Sequence, residues 1–278
     1  MGCYCRVLRD ISNDNEHLGN SVLVNGSLAV ESSGDAPVRT RVLFLHALGV
    51  SGGVWEGVIA QLPDFLTWAP DLPGHGSKST ERNIRTVDEM ADGIAKELNG
   101  EQVHLIGMSL GGLVAQSLAA RYPNLVSKLV LVDTVAVYPI AMKSMWLDRS
   151  VSAPLEGMSN IAVATLSLWF TSQYLTANDT TVREVRKALL ETDVDGYSMA
   201  CKVLAEADTR SLVVDITAPT MVICGSDDGE PFTQAAEWFS SKISNSTVEW
   251  LPNLRHAGAL EKPKEFAQLI SSFLKLSD

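Results

Sequence analysis

Four short apolar runs constrain this chain more than anything else in it: Val42-Leu43-Phe44-Leu45, Val103-His104-Leu105-Ile106, Leu129-Val130-Leu131-Val132 and Thr220-Met221-Val222-Ile223-Cys224. Continuous apolar runs of this length are the mark of strands covered on both faces, as in a parallel sheet. Between them lie stretches of helical spacing: Val54 to Leu62, Val87 to Leu98 and Leu113 to Ala119. Thr86 is placed to cap the second of these, with Asp88 and Glu89 near its positive end. Strand alternating with helix predicts an α/β fold, a mostly parallel, doubly wound sheet with helices on both faces. Further strands are expected near Phe65 to Ala69 and Thr247 to Leu251. Further helices are expected from Phe232 to Ile243 and from Pro263 to Leu274, where proline suits the first turn. A chain of 278 residues accommodates one such domain with an insertion.

The pattern breaks twice. Residues 1–20 are polar and irregular and are expected to form a flexible arm. Alternation then begins, with Val22 and Val24 before an Asn25-Gly26 turn and Leu28 and Val30 after it, an antiparallel hairpin. From about residue 138 to 206 apolar strand runs give way to helical periodicity, and Trp146, Trp169, Phe170, Tyr174 and Tyr197 concentrate there. The expected organisation is therefore an arm (1–20), a core in two pieces (21–137 and 207–278), and a helical insertion (138–206).

Composition narrows the function classes. The net charge of −11 argues against nucleic acid as a partner, because phosphate binding relies on basic surface. Asp133 interrupts the longest apolar candidate, Leu129 to Met142, so no membrane span is expected. Cys3, Cys5, Cys201 and Cys224 are scattered, and His17, His46, His75, His104 and His256 show no ligand spacing; neither a disulfide framework nor a metal is expected. No cofactor is expected either. The start has no basic segment followed by an apolar stretch, which makes the cytoplasm the default location. Met1-Gly2-Cys3 resembles the start of a dually acylated chain, but Arg6 stands where a myristoylation signal carries Ser or Thr.

The chemistry centres on Gly107-Met108-Ser109-Leu110-Gly111, between an apolar strand and a helix. Small residues two before and two after a serine let a strand turn sharply into a helix and hold the hydroxyl proud of the sheet, the arrangement of a nucleophile elbow. A serine hydroxyl needs a base, and the base needs a carboxylate to fix its tautomer. His256, the only histidine after the elbow, follows the strand ending at Leu251 across a loop. Asp228 follows the Thr220 to Cys224 strand and is the acid of choice; Asp227 beside it and Asp133 at the end of the preceding strand are the alternatives. Backbone N–H groups of Leu110 and of Leu48, in the loop after the first buried strand, are placed to hold a tetrahedral oxyanion. His46, His75 and His104 read as structural histidines.

With these features the chain resembles the α/β-hydrolase superfamily from Val42 onward, through the Leu48 loop, the Asp71-x-x-Gly74-His75-Gly76-Ser77 turn, the elbow and the Ser–Asp–His order. More narrowly it resembles the 3-oxoadipate enol-lactonases. The likeness rests on Leu129 to Thr134, Trp169-Phe170-Thr171, Asp195-Gly196-Tyr197, Ala200-Cys201, Ala207-Asp208-Thr209-Arg210, Ala218-Pro219-Thr220 and His256 followed by Glu261-x-Pro263. The resemblance implies an α/β-hydrolase fold with a helical cap, and cofactor-independent hydrolysis of a small ester or lactone by Ser109, Asp228 and His256. It further implies a substrate pocket shaped by Trp146, Trp169 and Tyr197. Lys143, Arg149 and Arg210 are the cap-region cations available to a substrate carboxylate. Rival readings of the same residues are acyl transfer, carbon–carbon bond hydrolysis, or a ligand-binding protein that no longer hydrolyses.

Overall fold

A computed structural model of the chain describes residues 23–24, 27–28, 41–177 and 179–276. The arm of residues 1–20 and the Met1-Gly2-Cys3 start lie outside them. The chain divides into two compact units, Met1–Val38 and Arg39–Asp278. In the first, β1 (Leu23–Val24) pairs antiparallel with β2 (Ser27–Leu28), in line with the expected hairpin, while Asn25-Gly26 lies outside the described residues.

The second unit is built on six strands in the order β4 (Leu66–Trp68), β3 (Arg41–Leu45), β5 (Val103–Met108), β6 (Val126–Val132), β7 (Thr220–Gly225) and β8 (Ser246–Leu251), every neighbouring pair parallel. The continuous apolar runs have the predicted cause: side chains alternate between two cores. Leu43, Leu45, Leu105, Leu129 and Leu131 face one core with Met90 and Ile94 of α2 (Val87–Leu98) and Leu113 of α3 (Leu110–Arg121). Val42, Phe44, Ile106, Val130 and Val132 face the other. There they meet Trp55, Val58 of α1 (Glu56–Ile59), and Phe266 and Ile270 of the terminal helix Pro263–Lys275. Helices thus cover both faces of the sheet.

Thr86 caps α2 by accepting from the Glu89 N–H at 3.1 Å. The predicted helix Val54 to Leu62 is shorter than its periodicity suggests: a 3₁₀ turn at Gly52–Trp55 precedes the single turn of α1. Here Trp55 is fully buried between Phe44 and Phe266, so packing of one large ring rather than helical spacing sets the segment's course.

Five helices follow β6: α4 (Ile140–Glu156), α5 (Ser159–Trp169), α6 (Ser172–Ala177), α7 (Thr180–Glu191) and α8 (Val194–Glu206). The excursion leaves and returns at one point, because an isolated antiparallel bridge joins Val137 to Asp208 and the Thr209 N–H donates to the Ala136 carbonyl at 2.8 Å. After the short α9 (Arg210–Val213), α10 (Glu230–Lys242) separates β7 from β8, and α11 (Gly258–Glu261) and α12 (Pro263–Lys275) close the chain. Strand order reverses between β3 and β5. In open parallel sheets the crevice at such a reversal, beyond the carboxyl ends of the strands, is where ligands bind.

Candidate functional site

The ends of β3 and β5 at that reversal carry the Leu48 loop and Ser109. Ser109 has φ 54° and ψ −113°, a strained conformation for a residue with a side chain, and such strain typically costs about 1–3 kcal/mol. Contacts on both sides enforce it. The Ser109 N–H donates to the Val132 carbonyl at 3.0 Å, and its carbonyl accepts from Thr134 Oγ1 at 2.8 Å. A Cβ on Gly107 would stand 2.3 Å from the Gly111 carbonyl oxygen, and one on Gly111 would stand 2.3 Å from that of Leu45. The glycine spacing therefore reflects backbone passing against backbone on both sides of the serine.

The loop after β3 is fixed by two buried histidines. His46 Nε2 accepts from the Leu72 N–H at 2.9 Å while its Nδ1 donates to the Ala47 carbonyl at 2.8 Å. His75 Nε2 accepts from the Gly49 N–H at 3.1 Å and its Nδ1 donates to the Pro73 carbonyl at 3.1 Å. These roles require the neutral ring in each case. Asp71 secures the turn between them by accepting from Gly52 N, Ser77 N and Ser77 Oγ. The Leu48 and Leu110 N–H groups enter no hydrogen bond among the described residues, while the flanking Gly49 and Gly111 amides are taken by His75 and by the His46 carbonyl. Both amides are thus without an acceptor, as a donor to an oxyanion must be before substrate arrives.

Burial lowers the His46 pKa to about 3, with the neighbouring His75 adding to the effect, and burial lowers that of His75 to about 4. Below the ordinary value of 6.5 the unfolded chain therefore takes up protons that the folded chain refuses. The stabilisation is complete above pH 6.5 and is lost as pH falls toward 4. His256 and Asp133 act with the opposite sign, their folded pKa values being raised, so the contribution of the two neutral rings is read as the difference between proteins with and without them. Over calorimetric melting from pH 7.5 to 4, Tm should fall more steeply in the wild type than in the His46→Gln/His75→Gln protein. An unchanged slope would assign the dependence to other groups.

His256, on the loop after β8, holds Asp228 Oδ2 at 2.8 Å through Nδ1, and Asp228 Oδ1 accepts from the Gly229 N–H at 2.7 Å. Burial alone would lower the imidazole pKa, but the Asp228 charge and hydrogen bond outweigh it and the net shift is upward. Asp227, the first alternative acid, is exposed and bonded to Ser226 Oγ at 3.0 Å. Asp133, the second, is 1% exposed; its Oδ1 accepts from the Gly225 N–H at 2.8 Å and its Oδ2 has no partner. Burial, and then repulsion from Asp228, raise the Asp133 pKa well above the carboxylate range.

Ser109, Asp228 and His256 line one cavity of about 400 Å³, together with Leu48, Trp146, Trp169 and Tyr197. Leu110 is not among the residues lining the cavity, and its side chain lies in the core. Two other grooves, of about 390 and 590 Å³, lack these groups. Among the described residues the imidazole has one hydrogen bond, to Asp228; the Ser109 hydroxyl lies against the buried Tyr138 phenol. Contacts between serine and base are often long before substrate arrives.

Two residues at the site, Phe232 and Tyr138, carry no signal in the sequence, and a third, Arg149, is one of the three cap-region cations that the sequence offers without placing. Phe232 packs on His256 with ring centroids 4.3 Å apart, Tyr138 packs edge-on against both Trp146 and Phe232, and Arg149 lines the cavity beside Trp146. Phe232 read only as a helix residue and Tyr138 only as the first residue of the insertion. Among the described residues, the three side chains that could jointly approach a metal are Asp133, Cys224 and Asp228. The set suits one poorly: burial and the Asp228 charge raise the Asp133 carboxyl, burial raises the Cys224 thiol, and Asp228 is engaged by His256.

The family model for the alpha/beta hydrolase fold matches residues 40–263. The chain belongs to the α/β-hydrolase family. It is 27% identical over 254 residues to 3-oxoadipate enol-lactonase 1 of Acinetobacter baylyi, covering 90% of this chain and 93% of that one. It is 28% identical over 248 residues to the pimeloyl-[acyl-carrier protein] methyl ester esterase of Nitrosomonas europaea, covering 86% and 96%. Among solved structures, the enol-lactonase from Burkholderia xenovorans LB400 superposes with a TM-score of 0.81 at 24% identity, over 88% of this chain and 94% of that one. The resemblance to the enol-lactonases drawn from the cap-region residues thus holds across nearly the whole α/β hydrolase. Among the described residues, no helix of this α/β hydrolase is long and apolar enough to cross a membrane.

Proposed function

We propose that this α/β hydrolase cleaves a small lactone or carboxylic ester through Ser109, His256 and Asp228, with the helices of residues 138–206 as a cap over the site. One observation carries the reading. The Asp228–His256 pair opens on the same cavity as a serine held in a strained elbow, between two amides without acceptors. His256 takes the Ser109 proton as Oγ attacks the carbonyl carbon, and the Leu48 and Leu110 N–H groups hold the resulting oxyanion. The imidazolium, steadied by Asp228, returns the proton to the leaving oxygen, which in a lactone stays tethered to the acyl-enzyme. Water, deprotonated by His256, then attacks the acyl carbon, and the acid departs with Ser109 regenerated. No cofactor enters these steps. Phe232 and Trp169 flank the imidazole and keep bulk water from the bond being broken.

The printed activities of the relatives, an enol-lactonase and a methyl ester esterase, support an ester bond as the target and small acyl groups as its context. A panel of five- and six-membered lactones, enol-lactones and short alkyl esters tests the reading. Turnover should be greatest for lactones and short acyl chains, and lowest for chains too long for a 400 Å³ cavity. Product formation that requires an added alcohol or amine acceptor would favour acyl transfer instead.

A further inference from the structure

The hydrolytic steps leave one hydroxyl beside the nucleophile without a task. Tyr138, 2% exposed, stands between β6 and α4, and its phenol meets the Ser109 hydroxyl. Its ring is held edge-on by Trp146, with centroids 5.6 Å apart and planes at 71°, and by Phe232, at 6.3 Å and 79°. The backbone on either side is pinned as well. Val137 bridges to Asp208 where the chain returns from α8, and the Pro139 carbonyl accepts from the Lys143 N–H at 3.0 Å in the first turn of α4. A buried phenol fixed in this way can neither swing to solvent nor leave its oxygen unpaired without cost. The other phenol of the wall, Tyr197, accepts from Arg149 at 3.3 Å instead.

Burial pushes the Tyr138 pKa above its ordinary value of 10, so at working pH the group facing Ser109 is a neutral O–H. It is no base for the serine proton; it is a hydrogen-bond donor. Strand order gives the side from which it acts. β3, which brings the Leu48 amide, lies on one side of β5 and its Ser109, whereas β6, β7 and β8, which bring Tyr138, Asp228 and His256, lie on the other. In the tetrahedral intermediate the leaving oxygen has to face the imidazolium that protonates it. It is thereby turned away from the Leu48 amide and toward the side on which Tyr138 stands. Phe232 links the two groups, because its ring packs on both Tyr138 and His256, the latter at 4.3 Å.

We propose that Tyr138 is a further catalytic residue: its O–H, paired with the Ser109 hydroxyl in the free site, passes to the leaving oxygen of the substrate once Oγ is bonded to the acyl carbon. The inference rests on the reading of the cavity as an ester-hydrolysing site and adds a third donor to it. Charge drives the exchange. Oγ becomes an ester oxygen, a weak acceptor, while the leaving oxygen gains negative charge as its bond to carbon lengthens, and hydrogen bonds to charged oxygens are roughly twice as strong as those between neutral groups. Tyr138 gives up no proton. The proton lost by Ser109 goes to His256 and from there to the leaving oxygen as the C–O bond breaks, and the phenol stays protonated throughout. A donor at this oxygen matters most for strongly basic leaving groups, so Tyr138 extends the range of the site from activated aryl and enol esters to plain alkyl esters.

The test is a leaving-group series at constant acyl chain. In order of rising leaving-group basicity, kcat/KM is measured for 4-nitrophenyl, phenyl, trifluoroethyl and methyl butyrate in the wild-type, Tyr138→Phe and Tyr138→Leu proteins; this parameter reports the steps up to departure of the alcohol. Tyr138→Phe keeps the ring and its packing. It should lose least with the 4-nitrophenyl ester and progressively more along the series, reaching about 10- to 100-fold with methyl butyrate, the range for losing one hydrogen bond to a charged oxygen. Tyr138→Leu, which removes the ring as well, should show the same steepening on top of a loss common to all four esters. Equal losses across the series in Tyr138→Phe would make the residue a wall of the cavity only and overturn the proposal, as would an unchanged methyl ester rate. If Tyr138→Leu does not fold, Tyr138→Phe alone decides. If the wild type cleaves none of the four esters, the hydrolase reading falls and this inference with it; an active wild type with equal losses in Tyr138→Phe removes the inference alone.

Discussion

Ser109→Ala should lower kcat/KM toward 4-nitrophenyl esters by about 10⁴-fold or more and abolish labelling by a fluorophosphonate probe. The size of the loss follows from how the site is divided. The variant keeps the Leu48 and Leu110 amides, the cavity and the Asp228–His256 pair, so what disappears is the covalent step itself. Water would have to take the place of Oγ without being held at the elbow. The fold should tolerate the change, because alanine has the same Cβ as serine at φ 54° and the Ser109 backbone bonds to Val132 and Thr134 remain. Ser109→Gly separates strain from chemistry: it should be equally inactive yet more stable than wild type by about 1 kcal/mol, because glycine adopts positive φ freely. Chemical denaturation read beside the ester assay checks both. A Ser109→Ala protein with near-wild-type turnover would end the covalent mechanism.

The elbow and the four central strands were legible because each is imposed by a constraint local to the chain. A strand buried on both faces needs an unbroken apolar run, as Val42 to Leu45 and Leu129 to Val132 show. A strand that turns into a helix beside another backbone needs the Gly107 and Gly111 pair. The cavity walls were less legible, because they depend on which face of a helix meets which loop. Trp146 and Tyr197 drew notice through their size and through family resemblance. Arg149, one helical turn after Trp146, has the same sequence character as the exposed Arg186. Only the packing of α4 along α8, which brings it to Tyr197, distinguishes it. The two histidines that fix the Leu48 loop, His46 and His75, read as structural from the sequence, but their partners Leu72 and Gly49, each 26 residues away, could be found only in the fold.

Asp228→Asn should cost about 10³- to 10⁴-fold in kcat, whereas Asp133→Asn should stay within about tenfold of wild type. Both carboxyls lie close to the imidazole, so the distinction rests on charge. Two buried carboxylates this near cannot both ionise without severe repulsion, and the one with better partners keeps the charge. Asp228 has His256 and the Gly229 N–H; Asp133 has the Gly225 N–H on one oxygen and nothing on the other. Asp133 is accordingly the protonated member, and asparagine is close to isosteric with a neutral acid. In the Asp228→Asn protein the repulsion is gone, the Asp133 pKa falls, and its carboxylate can partly support the imidazolium. Residual activity should therefore drop again in the double variant. The pH profile gives an independent reading. His256 must be neutral to accept the serine proton, so kcat/KM in the wild type should rise with unit slope through a midpoint above 6.5 and then level off. Removing the Asp228 charge leaves burial as the larger influence on the ring, so the midpoint should move to lower pH in Asp228→Asn and stay near the wild-type value in Asp133→Asn. An inactive Asp133→Asn beside a near-wild-type Asp228→Asn would reverse the assignment and make Asp133 the partner of His256.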